Sequence, residues 1–138
     1  MMSIDWERLT ETCDFWVGVF PDEDAYSEYV GADPRYYELR HTEEKVPLSL
    51  FIKDQGLDRY EEVIEMGFKA NAGSIAELVK GHSYADQYAD ELARRVNAIG
   101  LSGINGFLFI SAGEIPEPHT VKTASFTVWY VGQITYRI

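Results

Sequence analysis

The chain has 138 residues, 46% of them hydrophobic and 14% aromatic, and its 23 Asp and Glu outnumber 12 Lys and Arg for a formal net charge of −11. A chain of that size and apolarity buries a core, so the charge lies on a folded surface and not on a disordered acidic tail. A field of that sign repels phosphate backbones and draws cationic surfaces, which disfavours nucleic acid and favours a basic partner, although acidity also serves solubility alone.

Cys13 is the only cysteine, so no intrachain disulfide can form, and a reducing compartment suits the chain. No apolar run approaches the roughly 20 residues that span a bilayer. The first residues, MMSIDWERLTETC, carry acids where a signal peptide carries bases. The expectation is a cytoplasmic protein with no membrane partner.

In chain order, residues 3–12 suit one or two helical turns with Ile4, Trp6 and Leu9 inward. Phe15 to Phe20 is apolar on both faces, as a central strand is, with Gly18 marking a bulge or a close backbone approach. Pro21 stops it. Asp22 is then a good N-cap, Glu23 and Asp24 fall in the first helical turn, and Ala25, Tyr26, Tyr29 and Val30 recur at helical spacing until Gly31. Residues 32–47 are irregular, with a turn at Asp33-Pro34. Leu48 to Ile52 reads as a short helix closed by Gly56, or as a short strand. Arg59 to Phe68 leans helix, with Tyr60, Val63, Ile64 and Phe68 on one face and Glu61, Glu62 and Glu65 on the other.

Ser74-Ile75-Ala76-Glu77 has the form of a capping box and starts a short helix through Val79. Ser83 is expected to cap the clearest helix, Tyr84 to Ala98, with Tyr84, Tyr88, Leu92 and Val96 four apart. Asp90 with Arg94, and Glu91 with Arg95, make acid-first pairs, and Gly100 ends the helix. Ile104 to Ile110 is a buried strand, 112–119 a loop, and 125–138 the longest β-type run, with a bulge at Gly132. Strands adjacent in sequence pair antiparallel by default, so these last two are expected to be partners.

Signatures of catalysis are missing from the sequence: no Gly-rich phosphate loop, no His-Glu-x-x-His, no Cys-x-x-Cys and no Gly-x-Ser-x-Gly. His41, His82 and His119 sit beside loop or cap residues, and Cys13 has Asp14 beside it, which disfavours a thiolate. Asp22-Glu23-Asp24 lacks the alternating ligands and glycine of a calcium loop. No metal, cofactor or catalytic residue is expected. The acids are gathered in the first half of the chain and interleaved with Tyr26, Tyr29, Tyr36, Tyr37 and Tyr60. Tyrosine beside carboxylates grips Lys and Arg; equally, tyrosines cover core edges while acids solvate their faces.

Phe15-Trp16-Val17-Gly18, the Asp22-Glu23-Asp24 and Tyr26…Tyr29 helix, the Ser49-Leu50-Phe51…Asp54…Tyr60-Glu61…Glu65 block and the strand holding Tyr130-Val131-Gly132 together resemble the immunity protein 22 family (DUF4284) of bacterial polymorphic toxin systems. The resemblance covers nearly the whole chain from about residue 13, with Trp16 and Gly18 on the family's strand motif and Asp54 and Glu65 on its second acidic motif. It implies a non-catalytic α+β domain that binds and neutralises a cognate toxin. It assigns no toxin-contacting residues.

The expected architecture is α+β. One domain covers residues 1–138, with 1–12 a loosely attached segment, and a roughly four-stranded, mostly antiparallel sheet packs against several helices, mainly on one face. The expected partner-binding residues are Asp22, Glu23, Asp24, Tyr26, Glu28, Asp54, Asp58, Tyr60, Glu61, Glu62 and Glu65, set against a basic, nuclease-like toxin. The rival readings are an acidic scaffold module for a basic peptide and a carboxylate-dependent hydrolase.

Overall fold

The computed structural model describes residues 9–31, 49–57 and 63–138. In chain order the elements are β1 (Thr10–Val19), α1 (Glu23–Val30), α2 (Leu50–Asp54), β2 (Glu65–Phe68), α3 (Ile75–Val79), α4 (Ala85–Ile99), β3 (Gly106–Ser111), β4 (Val121–Lys122) and β5 (Thr127–Arg137). The fold is α+β, with one open antiparallel sheet in the order β2-β3-β1-β5-β4. Of the expected helical turns over 3–12, residues 10–12 are instead the start of β1, paired with β5, and 3–8 lie outside the described residues, as do the irregular stretch 32–47 and the start of the 59–68 segment.

β1 is the central strand that its two-faced apolarity predicts. Cys13, Phe15 and Val17 face α3 and α4, packing with Leu78, Val79, Tyr88, Leu92 and Val96. Trp16 and the following Phe20 face α1 and α2, packing with Tyr26, Tyr29, Phe51 and Ile52. Each fully buried side chain of this size contributes roughly 1.5–3 kcal/mol, so neither face is dispensable. Helices therefore cover both faces of the sheet, where the sequence suggested mainly one.

Three other expectations change. The last two long strands are not partners: β1 pairs with β3 on one side and β5 on the other, because the strand buried on both faces takes the middle. The end of the segment read as helix is strand β2, held by its ladder to β3, which raises the sheet from about four strands to five. Ser83 does not cap α4; Tyr84 holds that position at φ 62 with no side-chain cap bond, its ring 5.9 Å from Tyr136. On α4 itself, Glu91 binds both Arg94 and Arg95, which holds its carboxyl down at about 2.

The bulge expected at Gly132 is present and organises β5. Phe15 pairs with Gly132 and Trp16 with Tyr130, leaving Val131 as the extra residue. Trp129 before the bulge, Val131 within it, and Ile134 and Tyr136 after it then share the face toward α4. Unbroken alternation would have turned Gln133 and Thr135 inward instead. The Arg95 guanidinium donates to the Val131 carbonyl at 3.0 Å.

Candidate functional site

The acidic surface begins at the end of β1. Pro21 breaks the strand, and the Asp22 carboxylate accepts from the Ala25 amide at 2.8 Å, starting α1. Tyr26, Tyr29 and Val30 are buried against the sheet, which turns Glu23, Asp24 and Glu28 to solvent. Helix capping and the dipole account for Asp22, Glu23 and Asp24. Glu28, near the other end, has no such explanation.

α2 brings a second carboxylate to this surface. The Ser49 hydroxyl caps it by accepting from the Ile52 amide at 3.2 Å, while Phe51 and Ile52 anchor it in the core. Asp54 ends the helix, exposed, where the dipole disfavours an anion. There the Tyr29 hydroxyl donates to it at 2.7 Å. Burial first, and then the bond to Asp54, push the Tyr29 phenol well above its ordinary pKa, so it stays a neutral donor.

The docking of α2 is set by Gln55, which is 3% exposed. Its amide donates to the His119 carbonyl and accepts from the His119 N–H, both at 2.9 Å, as a backbone strand would. The Trp16 indole donates to the same carbonyl at 3.0 Å. Thus the central strand, the loop before β4 and the Asp54 helix form one locked unit.

The expected partner-binding residues divide. Asp22, Glu23, Asp24, Glu28 and Asp54 share the side of the molecule carrying α1 and α2. Tyr26 is a core residue, 7% exposed, its ring 5.2 Å from Phe20 and 5.4 Å from Phe68. Glu65 projects from the opposite face of the sheet, where His82 Nδ1 lies 3.1 Å from its carboxylate. Asp58, Tyr60, Glu61 and Glu62 lie outside the described residues. Sequence reasoning passed over Asp14, a carboxylate 1% exposed in the middle of β1 that accepts from the Tyr130 hydroxyl. An acid amid apolar neighbours was the available signal.

Two open grooves, of about 350 and 390 Å³, lie on the α3–α4 side. The first is lined by Ser74, Asn97 and the 101–104 loop, the second by Lys80, His82 and Asp86. Neither touches α1 or α2. Among the described residues no three His, Cys, Asp or Glu side chains gather as a metal site, and no helix is long and apolar enough to cross a membrane.

No curated protein and no solved structure matches the chain. A family model described as Immunity protein 22 (DUF4284) matches residues 13–137, from the middle of β1 to the last residue of β5. The chain belongs to the Immunity protein 22 family.

Proposed function

We propose that this immunity protein neutralises a basic, nuclease-like toxin by binding and occluding it, without catalysis, in the cytoplasm. The surface that carries the reading is the α1–α2 side, where Glu23, Asp24 and Glu28 stand exposed and Asp54 is drawn to α1 by Tyr29. Asp54 is the most telling member, since an acid at a helix C-terminus does not serve the helix. In a chain of net charge −11 this side steers cationic surfaces inward, and a nuclease must itself be positive to hold phosphate. Asp58, Glu61 and Glu62 extend the same acidity in sequence.

The test uses the cognate toxin domain, identified as the basic partner that this protein pulls down from its native cell. Co-production should rescue cells from that domain, and association should slow about ten-fold or more as salt rises to physiological strength. The triple variant Glu23→Lys, Asp24→Lys, Glu28→Lys spares the Asp22 cap and should bind at least about ten-fold more weakly. Unchanged affinity in that variant, with its fold intact, would sink the acidic-surface reading.

A further inference from the structure

The two edges of the sheet differ. β4, at one edge, is two residues long and carries Lys122, the kind of short, charged strand that resists further pairing. β2, at the other, has neither proline nor lysine within Glu65–Phe68, and among the described residues no strand pairs with its outer side. The Lys69 amide donates to the Asn105 carbonyl, in register with the β2–β3 ladder. By alternation Gly67 and Glu65 also point their backbone groups at β3, and the N–H and C=O of Met66 and Phe68 point outward.

Side chains at this edge alternate in character. Met66 lies opposite Leu108 on the α1 face and is 42% exposed, as is Ile64 just before the strand. Glu65 lies opposite Phe109 on the other face. The Tyr26 ring of α1 sits 5.4 Å from Phe68, so the buried face of α1 packs beside this edge. An approaching strand thus meets backbone groups that no described residue pairs, an apolar contact on one face and the Glu65 carboxylate on the other.

We propose that an extended, basic segment of the cognate toxin adds to the sheet along the outer edge of β2. Apolar side chains of that segment would cover Met66, and its Lys or Arg would meet Glu65. The charge selects this occupant over a second copy of the chain, because two copies at −11 repel at a shared edge. The inference rests on the reading of function above and names where on the toxin-binding side backbone pairing occurs.

Met66→Pro tests it, because proline at an edge position with an outward N–H leaves the ladder to β3 intact while removing a donor that an added strand needs. With the toxin domain identified by that pull-down as probe, Met66→Pro should weaken binding about ten-fold or more at unchanged circular dichroism. Met66→Lys, which keeps the backbone donor, should weaken it through repulsion of a basic strand. Hydrogen exchange on the wild-type complex supplies a readout free of folding effects: the Met66 and Phe68 amides should become protected on binding. Full affinity in both variants, or no protection at those amides, overturns the proposal, as does a wild-type dimer that Met66→Lys dissolves. If the Glu23, Asp24, Glu28 variant loses binding while the Met66 variants keep it, the edge is wrong and the acidic surface stands. If wild type fails to bind the toxin, both fall.

Discussion

The Tyr29 hydroxyl and the Asp54 carboxylate, 2.7 Å apart, join two short helices that have no covalent reason to meet. The bond connects a buried phenol to an exposed acid, so it acts as a strut from the core to the binding side. Tyr29→Phe should cost about 1 kcal/mol, at the low end for a bond to a charged group because Asp54 is solvated. Urea unfolding of Tyr29→Phe, Asp54→Asn and the double variant should show coupling of about 0.5–1 kcal/mol. Strictly additive losses would show that the two side chains do not support each other.

The tyrosines make a further prediction at high pH. Burial, the largest physical cause at each, pushes the phenols of Tyr26, Tyr29, Tyr88, Tyr130 and Tyr136 above their ordinary 10.0. It also pushes the Cys13 thiol from 9.0 up to about 11. With folded values raised, stability is fully present below the unfolded pKa and is lost as pH climbs above it, because the unfolded chain releases protons that the fold retains. Stability should hold to about pH 9 and then fall, each group adding up to about 1.4 kcal/mol per pH unit. A denaturation midpoint that stays level to pH 11, with tyrosinate absorbance appearing in the folded state, would contradict this.

What was legible in the sequence was local. The Asp22 cap, the Gly31 stop, the Ser74 cap and the Gly132 bulge all depend on a few neighbouring residues, and all are found where expected. β1 reads as central because Trp16 and Phe15 are apolar on opposite faces, but its first half was hidden by Glu11, Thr12 and Asp14, whose polarity suggests no strand. β2 misled for a related reason. Val63, Ile64 and Phe68 fit a helical stripe, and only pairing with β3 makes the segment extended. The site divides the same way: the α1 acids follow from capping, whereas the meeting of Asp54 with α1 and the separation of Glu65 onto the other face are tertiary facts. The 59–65 spacing does not encode them.

Gly132 offers a test of the bulge. Its φ is +96, and a Cβ there would lie 2.8 Å from the Arg95 Nη1 that holds the Val131 carbonyl. Gly132→Ala should therefore cost about 1–3 kcal/mol through backbone strain and displacement of that guanidinium. In an Arg95→Met background the cost should shrink, since the displaced bond is already gone, leaving the strain alone. An equal cost in both backgrounds would show that Arg95 does not brace the bulge.

Gln55 allows the docking of α2 to be switched by pH. Its buried amide gives one donor and one acceptor to the His119 backbone, and a protonated carboxylic acid offers the same pair, whereas a carboxylate offers acceptors only. In Gln55→Glu the ionised form would set negative oxygen against the His119 carbonyl at a position 3% exposed. Both effects raise the folded pKa of the introduced acid. Its stability contribution is then present below the unfolded value of about 4.3 and lost as pH rises above it. The variant should approach wild-type stability near pH 4 and fall about 2–3 kcal/mol behind by pH 7. Gln55→Ala should show a deficit of about 2 kcal/mol that does not vary with pH. Toxin affinity should follow the same pH pattern in Gln55→Glu relative to wild type if the clamp sets Asp54 in place. A pH-independent gap between Gln55→Glu and wild type would show that the clamp does not depend on the donor.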